Sequence, residues 1–175
     1  MGKLFDAYVR SYKLSAENDA DYFELVGDLY FSEQVQSLAQ YEQHLDINRL
    51  QHVTSVSYLS YVISKKLGWQ YRMIARATLL HDLFYYDWRD PEGNWHRPHG
   101  YKHPKFALLN AVELDKSLNE IQKDMIRRHM FPLTMPPKYK EGLVIVFADK
   151  YCANRELIYS LSKRYKQKFN SLIKE

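Results

Sequence analysis

At 175 residues and 46% hydrophobic content the chain can bury one sizeable core and is too short for two comfortable domains, so one domain is expected. A net charge of +4 and a pI near 9.0 suit either attraction of an anionic substrate or mere solubility, and are too small an excess to argue nucleic-acid binding. No stretch approaches the roughly 18 apolar residues of a membrane span, the opening MGKLFDAYVR lacks a signal-peptide core, and the one cysteine, Cys152, excludes an intramolecular disulfide and reads as an inert buried thiol; a soluble, cytoplasmic protein is expected.

Residues 1–18 read as a polar lead-in, with Asn18 or Asp19 as N-cap of a helix running to Asp28. Ser32 opens the next helix in the pattern Ser32-Glu33-Gln34-Val35, with Val35, Leu38 and Leu45 as its inner stripe. Asp46 or Asn48 caps a third helix that carries His52 and stops at Gly68; Ser55, Ser57, Ser60 and Ser64 on it allow another helix to come close. A fourth helix is expected over residues 70–84, with His81 and Asp82 at its C-terminal end. Residues 87–102, DWRDPEGNWHRPHGYK, form the long irregular segment and are expected to act as a lid. His103 then opens a helix to about residue 114 with Pro104 in its first position, and another helix covers 118–129, ending before the Pro-rich break at 131–137. Residues 144–147 could pass for a buried strand, but the helix formers that follow make this a helix carrying Asp149. A last, basic helix is expected over 154–173, where Lys163, Arg164, Lys166 and Lys168 read as a solvated face.

The adjacent His81 and Asp82 close the segment ARATLLHD. With 7 His and 11 Asp in the chain, chance supplies about 0.44 such dipeptides, so the pair carries weight only through its context. Leu79, Leu80 and Leu83 give it an apolar face, and a buried imidazole and carboxylate need partners or a metal. Adjacent helical residues diverge by about 100°, so such a pair straddles an ion and other helices must complete the shell. His52, His103, His129 and Asp149 supply the right residue types. Successive gaps of 29, 22, 26 and 20 residues each match one helix plus its connection, which in an antiparallel array brings every ligand back to the same end.

An isolated His52, a helix ending in LLHD and a distal Asp149 in ADK resemble the HD-domain superfamily of metal-dependent phosphohydrolases, over about residues 32–160. The resemblance implies an all-α, single-domain helical bundle of about five core helices plus flanking helices, with residues 1–31 an N-terminal helical extension, 32–160 the core and 161–175 a basic C-terminal helix end. It implies a first metal held by His52, His81, Asp82 and Asp149, with Asp82 bridging to a second held by His103 and His129. One or two divalent ions of iron, manganese, nickel, cobalt or zinc suit such ligands, and magnesium is compatible. The implied activity is hydrolysis of a phosphate ester or anhydride of a small phosphorylated metabolite, foremost a nucleotide. The rival reading is a non-catalytic regulatory module that keeps the fold and binds metal or nucleotide; the intact ligand set argues against it. Some two-metal relatives carry consecutive histidines where Arg128-His129 stands here, and no GYP motif follows, which speaks against cyclic di-GMP phosphodiesterase activity.

Around this set, Asp82 and Asp87 are the catalytic candidates, Asp87 to orient a water or protonate the leaving group. Arg97, His99, Lys102 and Lys150 are the substrate-contact candidates; His96 shares the loop with His99, and Trp88, Trp95 and Tyr101 could stack on a base. The partner expected is a small phosphorylated substrate; no membrane and no nucleic acid is expected, and a homo-oligomer is compatible.

Overall fold

The computed structural model describes residues 2–44, 47–90 and 97–174. These residues fold into an all-α assembly with one small hairpin. Helix α1 (Lys3–Arg10) occupies part of the polar lead-in over residues 1–18, within the N-terminal extension expected to be helical. Its eight residues are too short for local signals to mark, and it is held by burial of Ala7 and Tyr8. Helix α2 (Ala20–Tyr30) starts after Asp19 as expected, but Asp19 does not cap it; the carboxylate instead takes two hydrogen bonds from Arg10, at 3.1 and 2.8 Å.

Ser32 does cap α3 (Glu33–Gln36), accepting from the Val35 amide, but the helix is one turn long and tightens into a 3₁₀ turn (Ser37–Gln40). An antiparallel hairpin follows, β1 (Glu42–His44) and β2 (Ile47–Asn48), with Glu42 opposite Asn48. The expected Leu45 and Asp46 positions lie outside the described residues. Asn48 caps α4 (Arg49–Leu67) by accepting from the Gln51 amide, and Gly68, at φ +68°, ends it in the left-handed conformation that glycine adopts without a Cβ penalty.

Helix α5 (Tyr71–Leu79) stops short of the expected 70–84 span, so His81 and Asp82 sit in the turn beyond it. The His81 imidazole Nδ1 donates to the Thr78 carbonyl at 2.7 Å and so takes an acceptor that a continuing helix would use. Helix α6 (His99–Leu114) begins four residues before His103, and Pro104 lies inside it rather than at its start. The Pro98 carbonyl accepts from the Tyr101 and Lys102 amides and founds that earlier turn. Helix α7 (Glu120–Arg128) opens with a reciprocal capping box between Asn119 and Gln122. The boundary between the last two expected helices shifts: α8 (Gly142–Leu161) carries residues 144–147 and Asp149 and runs on past the expected start at 154, Ser162 turns extended, and α9 (Lys163–Lys174) follows.

Helix α4 is the hub, packing most extensively on α5 and next on α8. Its serines permit this approach: Ser57 donates to the Ala75 carbonyl of α5 at 2.8 Å and accepts from Tyr22. Val53, Val56 and Leu59 of α4 meet Ile74 and Ala77 of α5, Met125 and Ile126 of α7, and Ile145, Ala148 and Cys152 of α8 in one buried cluster. Helix α9 turns Phe169 inward against Tyr8 and Tyr12 of the α1 segment, so the aromatic residues of the basic tail are packing groups. Among the described residues no helix is long and apolar enough to cross a membrane.

Candidate metal centre

Five elements converge at one end of this array. His52 comes from α4, His81 and Asp82 from the turn after α5, His103 from α6, His129 from the residue that ends α7, and Asp149 from α8. His52, His81, His103 and His129 are buried.

The backbone dictates which ring nitrogen faces the centre. Nδ1 of His81, His103 and His129 lies 2.7, 2.9 and 2.8 Å from the carbonyls of Thr78, His99 and Ile126. Carbonyls only accept, so each Nδ1 carries a proton and Nε2 is the nitrogen turned inward, with a lone pair to offer when the ring is neutral. His52 follows the same logic with a carboxylate, its Nδ1 lying 3.0 Å from both oxygens of buried Glu156.

Asp82 sits between two pairs of these nitrogens. Its Oδ1 lies 3.3 Å from His103 Nε2 and 3.6 Å from His129 Nε2; its Oδ2 lies 3.7 Å from His81 Nε2 and 3.9 Å from His52 Nε2. Asp149 Oδ1 approaches His52 Nε2 at 3.2 Å and His81 Nε2 at 3.8 Å. Two ligand groups therefore emerge, His52–His81–Asp149 and His81–Asp82–His129, each close enough to share an ion.

The chemistry of these atoms fits a cation. His81 Nε2 and Asp82 Oδ1 are buried and have no hydrogen-bond partner among the described residues. His103 Nε2 and His129 Nε2 stand 2.8 Å apart, and two lone pairs at that distance repel unless a proton or a cation lies with them. Burial, followed by the neighbouring His103 and His81, pushes His129 down to about 3 and keeps it neutral. Burial opposes the charge on Asp82, but His81 and His103 outweigh it and hold the carboxyl well below its usual range. Asp149 is likewise held ionised, its burial overcome by the facing imidazoles of His52 and His81.

Asp82, His103, His129 and Asp149 form the floor of a cavity of about 590 Å³. One wall is a ladder of stacked rings, Trp88 on His99 (centroids 5.4 Å apart) and His99 on His103 (4.4 Å). Met130, Pro132, Leu133 and Ala153 supply apolar surface, and Gln43 and Lys150 add polar groups.

A family model for the HD domain matches residues 49–154, more than half of the chain and every residue of this ligand set. The chain belongs to the HD-domain family. Neither a curated protein nor a solved structure matches it. The HD family is of the metal-dependent phosphohydrolase type and binds divalent metals, and the two His/Asp groups could hold such ions.

Within this HD domain the other expected site residues divide. His99 and Lys150 line the cavity, and burial lowers the Lys150 ammonium from its ordinary value. Arg97 is exposed and lines a separate cleft that shares Trp88 and His99, while Lys102 and Tyr101 are on the wall of neither. Asp87 departs from its expected catalytic place: it is exposed, absent from the cavity wall, and accepts from the backbone and guanidinium of Arg89, at 2.9 and 3.3 Å. An aspartate two residues before a donor satisfies itself locally, which is the capping role its loop position allows. Trp95, His96 and the middle of the expected lid lie outside the described residues.

Three buried polar residues of the HD site escaped the sequence reading: Glu156, Gln43 and Arg49. Glu156 had a usable signal, since it follows Asp149 by seven residues and so shares its helix face. Gln43 and Arg49 carry none, because two strands this short leave no periodicity to set the hairpin that brings them together apart from helix.

Proposed function

We propose that this HD domain is a metal-dependent hydrolase of phosphate esters or anhydrides, with a nucleotide as substrate. The observation that carries the reading is the division of Asp82, whose two oxygens face different pairs of imidazole nitrogens. A carboxylate so shared suits a paired centre, with His52, His81 and Asp149 on one side, His103 and His129 on the other. Bound there, divalent ions supply Lewis-acid polarisation of phosphoryl oxygens and a lowered pKa for water.

The chain's own groups do the remaining work. The carbonyl-bound Nδ1 atoms keep three imidazoles in the tautomer that leaves Nε2 open, and Glu156 does so for His52. Lys150, on the cavity wall, is suited to donate to non-bridging phosphate oxygens as charge gathers there. Trp88 offers a planar face for a base, and Met130, Pro132 and Leu133 exclude water from that end.

The test is phosphate release by the chelator-stripped chain, with and without added Mn²⁺, from nucleoside mono-, di- and triphosphates, dinucleoside polyphosphates and sugar phosphates. Metal-dependent turnover that favours nucleotides, with KM raised in Trp88→Ala, is expected. Turnover of sugar phosphates alone would remove the nucleotide assignment. Metal uptake with no turnover on any class would make this a non-catalytic member of the family.

A further inference from the structure

Asp82 is held by more than the histidines. Gln43, on β1 at the edge of the cavity, donates from Nε2 to Asp82 Oδ2 at 2.9 Å. Its amide oxygen accepts from Arg49 Nε at 3.0 Å. The direction of this chain is chemically forced: a guanidinium has only donors, so the oxygen end of the amide must face Arg49 and the NH₂ end must face the carboxylate.

Arg49 is itself fully buried and anchored. Its Nη1 donates to the Phe84 carbonyl at 2.6 Å, its Nη2 to the Tyr86 carbonyl at 3.2 Å, and its guanidinium lies over the Phe84 ring at 3.6 Å. Those carbonyls belong to the irregular segment just after Asp82. One side chain thus ties the hairpin to the segment bearing the proposed bridging carboxylate, and both ends of the chain from Arg49 to Asp82 are fixed to the same backbone.

We propose that Gln43 is a positioning residue of the metal centre, oriented by Arg49, whose amide pins one oxygen of Asp82 so that the other stays turned toward His103 and His129. The inference rests on the metal-centre reading above and adds a device from outside the 49–154 span that matches the family model. Without the amide, Asp82 loses the contact that selects its rotation about Cβ–Cγ, and neither side of the centre keeps a preset oxygen. Outer hydrogen bonds of this kind typically govern metal affinity by about 10–100-fold.

The experiment is calorimetric Mn²⁺ titration of the chelator-stripped full chain, with thermal unfolding of the metal-free protein measured alongside. Gln43→Met keeps the length and removes the donor; 10–100-fold weaker Mn²⁺ binding with a nearly unchanged metal-free melting temperature is expected. Unchanged affinity overturns the proposal. Should Gln43→Met fail to fold, Gln43→Glu decides: it keeps an oxygen for Arg49 but has no proton for ionised Asp82. Weaker binding than wild type again supports the proposal, and equal or tighter binding overturns it. Wild-type protein that takes up no Mn²⁺ would instead overturn the metal-centre reading, so the two failures are distinguishable.

Discussion

His52 Nδ1 lies 3.0 Å from both carboxylate oxygens of Glu156, a buried pair joining α4 to α8 across 104 residues of sequence. Burial disfavours the imidazolium, yet Glu156 and Asp149 outweigh it and raise the pKa of His52 well above its ordinary value. Glu156→Ala should therefore act twice. Mn²⁺ affinity should fall about 10–100-fold, because the ring loses the group that orients it. The metal-free protein should lose about 3 kcal/mol, because a buried partner is stranded. Titration calorimetry and denaturant unfolding check the two effects; full metal affinity in a folded variant would reduce Glu156 to a packing role.

Asp82 and His129 should differ in stoichiometry. Asp82 lies within reach of both ligand groups, whereas His129 belongs to one. Asp82→Ala is expected to abolish turnover and strip metal from both sides while leaving the helical circular dichroism largely intact. His129→Ala should leave about one ion per chain on the His52 side. Elemental analysis of protein purified without chelator or affinity-column metal reads both numbers, and equal metal content in the two variants would contradict the division.

Away from the site, Arg76 clamps Asp28 with bonds of 2.7 and 2.9 Å and Asp115 at 2.8 Å. Hydrogen bonds from Arg76 lower Asp28; burial opposes the lowering of Asp115, but Ser117 and Arg76 overcome it. Both carboxyls thus hold protons less readily folded than unfolded. Their stabilisation is complete above the unfolded value of 3.8 and is lost as pH falls through the lower folded values. Asp115→Asn should cost about 2 kcal/mol at neutral pH and much less once both carboxyls are protonated. Urea unfolding at several pH values checks this, and a cost independent of pH would point to lost packing instead.

Phe169 should matter for stability and not for metal. Its buried ring lies 4.9 Å from Tyr12, 5.5 Å from Tyr159 and 5.6 Å from Tyr8, centroid to centroid. Phe169→Ala should destabilise by about 3–5 kcal/mol. Mn²⁺ affinity measured well below the melting temperature should stay at the wild-type value; a tenfold drop would mean that α9 supports the centre.

Much of this molecule was legible before any coordinate. Ser32, Asn48 and Gly68 sit where expected because caps act on amides and carbonyls within a few residues, so the sequence window contains both partners. The ligand-type residues were legible through their spacing, since antiparallel helices of similar length return their ends to one place. The helix-to-turn switch before His81 was missed because a side chain takes over a backbone acceptor there, and the hairpin at 42–48 because two short strands carry little periodicity.

Sequence by itself determined the fold class, the helix landmarks and the chemical types gathered at the site, all of which depend on local propensity or regular spacing. Only the tertiary structure decided which polar groups act together. Asp87 and Asp82 are both loop aspartates near the same motif, yet one is satisfied by Arg89 two residues away and the other is buried among four imidazoles and Gln43. Gln43, Arg49 and Glu156 acquire roles through partners 35 to 104 residues distant. A polar side chain is defined by what it faces once water is excluded, and that is settled by packing rather than by its neighbours in the chain.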